Sequence, residues 1–236
     1  MERKEKFTPG EYYHIYSRVI LNLQEFKDFN NAKRLAQALL LANSTKSGQA
    51  FDYLRNNKNS ASAMKKAVEI SRQGEKLVDI ICYVIMPDHY HFLLRELKDR
   101  GISDFIRRCN TAIAKYVNIK NKRSGHLFEG NFKAKHIDSN EYLLHLSVYI
   151  HLNPLDFLEN RGWRNHKLKN WKSNKEKLLN YKWSSLKHFL DDNFNDPIIS
   201  GVEIILDQFK NRKEYELFLK DWSLYSLESI SDFIIE

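Results

Sequence analysis

Two histidines alternate in the segment His89-Tyr90-His91, and later the chain reads Tyr149-Ile150-His151-Leu152-Asn153-Pro154. On a β-strand alternate residues share a face, so both imidazoles would project to one side of a sheet and Tyr90 to the other. At the end of a helix, residues four apart are neighbours, which sets the Tyr149 phenol beside the Asn153 amide. Two neutral imidazoles and an amide oxygen leave open positions on a divalent ion, where a phosphate oxygen can bind. Lacking carboxylate and thiolate ligands, this set suits Mg²⁺ or Mn²⁺ better than a structural zinc ion. A phenol oxygen that attacks a phosphodiester expels a 3′-hydroxyl and leaves a 5′-phosphotyrosine, which a second 3′-hydroxyl can attack in turn. The chemistry suggested is strand cleavage and rejoining. With an unperturbed pKa of about 10, the Tyr149 phenol would need a nearby cation or base.

Each residue also has an ordinary structural alternative. The histidine pair can be hydrogen-bonded core or surface residues, Tyr149 a core tyrosine, and Asn153 a helix cap before Pro154. His126, His136, His145 and His151 compete as ligands or bases, His145 lying one turn before Tyr149. His14, Tyr16 and Arg18 alternate on an early strand and could line the same sheet face. Ser184-Ser185 lacks the context of a serine nucleophile.

A formal net charge of +8 fits a polyanionic partner, and its distribution is more telling than its total. Between Lys98 and Lys135 basic residues greatly outnumber the acids Asp99, Asp104 and Glu129, whereas the chain from Gly201 onward is net acidic. Arg107, Arg108, Lys115, Lys120, Lys122, Arg123, Lys133 and Lys135 are the candidate phosphate contacts, and Tyr12, Tyr13 and Phe128 could stack on unpaired bases. The two cysteines, Cys82 and Cys109, fall in apolar runs and read as core residues rather than a disulfide scaffold. No apolar segment approaches a signal peptide or a membrane span, so a cytoplasmic protein without a membrane partner is expected.

The elements that must position these groups follow from pattern. Glu11–Val19 is aromatic and β-branched and reads as a strand; Phe29–Ala42 has helical apolar spacing. The polar stretch 43–76 reads as an elaboration between helix and strand, weakly helical around Met64–Ile70. Leu77–Met86 and His89–Glu96 flank Pro87-Asp88 as a hairpin. A helix capped by Ser103 carries Phe105, Ile106, Cys109, Ile113, Tyr116 and Val117, a strand is expected over Phe132–Ile137, and Asp138 with Glu141 forms a capping-box signature for the Tyr149 helix. Beyond lie the aromatic motif Tyr181–Ser185 and an amphipathic stripe over Gln208–Trp222. Residues 1–155 are read as the catalytic domain and 156–236 as a helical carboxy-terminal extension.

Taken in order, YHIYSR, CYVIMPDHYHFLL, GHLFEGNFKA and YIHLNP resemble the HUH transposases with a single catalytic tyrosine, of the insertion-sequence and REP-associated type. The resemblance spans roughly Tyr12 to Pro154. It implies an α+β, ferredoxin-like antiparallel sheet flanked by helices, His89 and His91 as the metal pair, Asn153 as third ligand and Tyr149 as nucleophile. It further implies a transposase that recognises single-stranded or hairpin DNA, as a monomer or homodimer. The alternatives are a non-catalytic DNA-binding or regulatory protein on the same fold and, since nothing identifies a 2′-hydroxyl sensor, an RNA-directed nuclease.

Overall fold

The β-branched and aromatic runs form four strands: β1 (Tyr12–Arg18), β2 (Val78–Ile85), β3 (His89–Glu96) and β4 (Lys133–Ile137). The computed structural model describes residues 6–57, 60, 62–158, 163–164 and 168–224. The strands make one antiparallel sheet in the order β2-β3-β1-β4. Helices follow β1 and β3 in the chain, so connectivity and strand order are those of the ferredoxin-like fold the sequence predicts. Antiparallel register is visible where Val19 N donates to Asp88 O (2.7 Å) at one end and Glu96 N to Glu11 O (3.0 Å) at the other.

Packing divides the described residues into two compact units. The first comprises those in Met1–Asp79, Pro87–His89 and Leu94–His136, the second those in Ile80–Met86, Tyr90–Leu93 and Ile137–Glu236.

In the first unit, α1 (Phe29–Ala42) begins at Asp28, whose carboxylate accepts from Asn30 N (2.9 Å) and Asn31 N (3.2 Å). The polar stretch that follows holds two helices, α2 (Ser47–Asn56) and α3 (Ala63–Arg72). Only α3 had a sequence signal. Together they close a small core in which Leu41, Ala50 and Ala67 are buried against Phe51, Leu54, Met64 and Val68. The long α4 (Gly101–Lys120) packs on α1, with Cys109 Sγ 3.6 Å from Ala38 O. Ser103 does not cap it. Buried Glu96, at the end of β3, accepts from Gly101 N (3.0 Å) and Ile102 N (2.6 Å), placing a carboxyl at the positive end of the helix.

In the second unit, α5 (Asn140–Leu152) starts one residue later than the capping-box reading: Ser139, not Asp138, accepts from Tyr142 N (3.2 Å). α6 (Leu155–Leu158), α7 (Trp171–Asn180), α8 (Leu186–Leu190), α9 (Glu203–Leu206) and α10 (Arg212–Leu224) complete the helical remainder, and Tyr215, Leu219 and Trp222 form the buried stripe of α10. The Tyr181–Ser185 motif lies along the outer side of β2. There Ile85 N donates to Trp183 O (2.8 Å), Ser185 N to Tyr83 O (3.0 Å) and Tyr83 N to Ser185 Oγ (2.9 Å). Ser200 N donates to Ile80 O (3.0 Å) further along the same strand. Cys82 and Cys109 are both free, and burial pushes both thiols up. Among the described residues, no helix is long and apolar enough to cross a membrane.

Candidate active site

Strand alternation works on β3 as expected: Tyr90 stacks on Phe92, ring centroids 4.3 Å apart, while His89 and His91 take the other parity. In the second unit, His91 meets the Tyr149 ring edge-on at 5.3 Å and 88°. Both side chains are buried. The Asn153 N–H donates to Tyr149 O (3.1 Å), so the last turn of α5 carries the tyrosine and the amide one above the other.

Asn153 is fully buried, and neither its Oδ1 nor its Nδ2 has a hydrogen-bond partner among the described residues. Leaving an amide so placed costs about 1–3 kcal/mol. A side chain whose oxygen serves a ligand explains that cost, and the donor set therefore fits a divalent cation. Among the described residues, no three His, Cys, Asp or Glu side chains gather into a metal-binding group, so any cation here would rest on imidazole and amide donors.

In the first unit, His89 Nδ1 lies 2.6 Å from Asp88 Oδ1. A carboxylate accepts from a proton-bearing nitrogen, so Nδ1 carries a hydrogen and Nε2 is the nitrogen left to face a metal. Burial opposes ionisation of Asp88, but the His89 hydrogen bond and the Arg18 charge outweigh it and hold the carboxyl below its usual range.

Sequence reasoning missed a cationic group on the Tyr149 ring. The Arg164 guanidinium lies 5.2 Å from the Tyr149 ring centroid, and Trp163 packs against the same ring at 6.0 Å. Asp156 holds both. It accepts from Trp163 Nε1 (2.6 Å) and from Arg164 Nε (2.9 Å) and Nη2 (2.5 Å). No periodicity marks these three residues.

The competing histidines have other work. His151 is enclosed by Tyr215 Oη (2.8 Å from Nδ1) and Ser185 Oγ (2.9 Å from Nε2), and burial lowers its pKa to about 3. His145 Nδ1 accepts from Trp222 Nε1 (2.9 Å), and His136 pairs with Glu11 (2.8 Å). Burial first, then Lys135, lowers His14 to about 3.

The eight basic candidates, all in the first unit, divide into two kinds. Arg108 donates to Ser44 O (2.7 Å), Lys120 pairs with Asp28 (2.6 Å), and Arg123 pairs with Glu25 (3.5 Å) while donating to His126 O (2.8 Å). These tie α4 and the following turn to the residues around α1. Arg107, which pairs with Asp104 (3.3 Å) on its own helix, Lys115, Lys122 and Lys133 are exposed, and Lys135 is half-buried. Of the aromatic candidates for base stacking, Tyr13 and Phe128 are buried, and Tyr12 is half-buried.

Residues 55–153 match the family model described as "Transposase IS200 like". Two solved structures are similar to the chain. A REP-associated tyrosine transposase bound to a REP hairpin is 12% identical, with a TM-score of 0.49, covering 85% of this chain and 92% of that one. A putative transposase from Deinococcus radiodurans R1 is 14% identical, with a TM-score of 0.32, covering 64% and 95%. No curated protein matches the chain. The segment that holds His89, His91, Tyr149 and Asn153 thus matches the IS200-like transposase family, in keeping with the resemblance carried by its motifs.

Proposed function

We propose that the protein is a metal-dependent endonuclease and strand transferase acting on single-stranded DNA with hairpin elements, a transposase with Tyr149 as nucleophile. The packing of His91 against Tyr149, with the buried unpartnered amide of Asn153 one turn on, is the observation that carries this reading. His89, His91 and Asn153 would hold Mg²⁺ or Mn²⁺, which supplies Lewis-acid polarisation of a phosphate oxygen. The Tyr149 phenol passes its proton to water as its oxygen donates a lone pair to phosphorus. The bond from phosphorus to the 3′ oxygen breaks, and that oxygen leaves with the electron pair and takes a proton from water. A new 3′-hydroxyl reverses these steps and joins a different strand. Arg164, paired with Asp156 over the Tyr149 ring, would add positive charge beside the phenolate as it forms. Exposed Arg107, Lys115, Lys122 and Lys133 are suited to hold the DNA backbone.

Incubation of end-labelled hairpin oligonucleotides with Mg²⁺ or Mn²⁺, followed by a denaturing gel, tests the proposal. Wild type should form a covalent 5′ adduct; Tyr149→Phe should bind DNA and form none. His89→Ala and His91→Ala should lose cleavage while largely retaining binding, and Asn153→Ala should lose less, because water can replace one ligand of a hard cation. No adduct on any of several hairpins, with binding intact, would favour the DNA-binding alternative.

A further inference from the structure

The YHIYSR motif has no part in the chemistry above, yet it ends on an arginine that the sheet sets beside a proposed metal ligand. β1 and β3 are neighbours in the sheet. Val19 N donates to Asp88 O and Glu96 N to Glu11 O, and both bonds belong to one antiparallel register, in which Arg18 stands opposite His89. The same register sets Tyr12 opposite Arg95, and those two side chains do interact. Opposite residues of an antiparallel pair share a face, with Cβ atoms roughly 4.5–5.5 Å apart. Arg18 and His89 therefore project side by side from one face of the sheet, within the first unit.

We propose that Arg18 donates to a non-bridging oxygen of the scissile phosphate beside His89, which makes it a further catalytic residue. The proposal rests on the strand-transfer reading and adds a group which that reading does not use. Three observations support it. The register places the guanidinium on the face and at the strand end where His89 would meet a phosphate-bound cation. Among the described residues no ion pair engages Arg18, whereas Arg95 on the same face is held by Asp79 (2.5 Å), and Arg123 elsewhere in the unit by Glu25 (3.5 Å). Asp88 feels the charge of Arg18, but its carboxylate already accepts from His89 Nδ1 (2.6 Å). Finally, Arg18 is half-buried, so its charge is screened less than that of an exposed lysine. A guanidinium stays protonated and its planar fork matches two phosphate oxygens, so it stabilises charge without exchanging a proton. As the Tyr149 oxygen bonds to phosphorus and the 3′ oxygen departs, the non-bridging oxygens gain negative charge, and donors already aimed at them lower the barrier.

The test compares the full chain with Arg18→Gln and Arg18→Lys in single-turnover adduct formation, on hairpin oligonucleotides that carry either the natural phosphate or a methylphosphonate at the position wild type attacks. Each methylphosphonate diastereomer replaces one charged oxygen with a methyl group. On natural DNA Arg18→Gln should be slower by about 100-fold, and Arg18→Lys should recover part of that rate, since it keeps the charge and loses the fork. On one diastereomer wild type and Arg18→Gln should agree within about threefold, because the oxygen that the guanidinium serves is gone. A second measurement needs no DNA: titration of Mn²⁺ into the protein, followed by electron paramagnetic resonance. Arg18→Gln should bind Mn²⁺ as wild type does, whereas Asp88→Asn, which disturbs His89, should bind it about 10–100-fold more weakly. Matched circular dichroism and thermal midpoints establish that the variants are folded. An unchanged rate on natural DNA, or an equal loss on both diastereomers, would overturn the phosphate contact. Mn²⁺ binding weakened in Arg18→Gln as much as the rate would also overturn it, since Arg18 would then act through Asp88 and His89. A wild-type chain that forms no adduct on any hairpin would instead overturn the strand-transfer reading, and this inference with it.

Discussion

Tyr215→Phe removes one oxygen atom from the interior of the second unit, and its effect can be worked from the contacts that atom makes. The hydroxyl lies 2.8 Å from His151 Nδ1 and 3.0 Å from Ser147 Oγ, and all three residues are buried. Ser147 keeps a partner, since its hydroxyl also donates to Leu144 O at 2.7 Å. His151 Nδ1 loses the partner that its neutral ring requires, which costs about 1–3 kcal/mol, and the lost bond to Ser147 adds about 1 kcal/mol. The ring itself stays packed against Phe189 (5.3 Å) and Phe209 (5.2 Å), so no cavity opens and the loss reports the polar network alone. A total near 3 kcal/mol corresponds to a fall of about 6–12 °C in thermal midpoint for a chain of this size. Thermal and urea unfolding followed by circular dichroism measure it. Because His151 lies on α5 between Tyr149 and Asn153, the same variant should form the Tyr149 adduct more slowly well below its midpoint. A midpoint within about 1 °C of wild type would show that the network does not hold α5, and that its buried polar groups find other partners.

Arg164→Gln should slow adduct formation by about 10–100-fold, with DNA affinity changed much less, since it removes a cation from the Tyr149 ring rather than from the exposed lysines proposed to hold DNA. Single-turnover adduct kinetics beside anisotropy measurements separate the two effects, and an unchanged rate would remove Arg164 from the site. Stability should also fall in acid. Buried His14 has a folded pKa of about 3 against an ordinary value near 6.5, so below 6.5 the unfolded chain binds the proton and the folded chain does not. Its contribution is fully present above pH 6.5 and is lost as pH falls toward 3, about 2 kcal/mol of it by pH 5. Urea midpoints at pH 7.5 and 5 read this slope, and His14→Gln should reduce it, leaving the share carried by buried His151; an equal slope in the variant would assign the acid sensitivity elsewhere.

The sheet was legible in the chain because its strands depend on local alternation. β3 occupies the residues that the sequence pattern marks, and the His-Tyr-His parity follows from that alone. α2 was not legible. Its apolar residues are few, and they acquire a purpose only when Leu41 and Ala67 come from other helices to meet Ala50. Caps failed for a related reason: a serine near a helix start is a local signal, whereas Glu96 reaches the first turn of α4 from the end of a strand. Charge was countable and its pairing was not. Lys120 and Arg123 meet Asp28 and Glu25 from far earlier in the chain. Tyr149 and Asn153 follow from helical spacing, but Arg164 reaches the phenol ring by a path that no repeat encodes.

The row of bonds along the outer side of β2 also bears on self-association. An edge strand presents unpaired backbone groups, a template on which a strand from another molecule can add. Here Ile80, Tyr83 and Ile85 spend theirs on Ser200, Ser185 and Trp183 of the same chain. Cross-β growth from this border is therefore blocked as long as residues 183–200 stay in place. The opposite border is β4, where Lys133 and Lys135 set like charges against any copy that tried to align with itself. One border is blocked by the chain's own backbone and the other discouraged by charge, so a strand could add at β2 only after the Trp183 segment had peeled away.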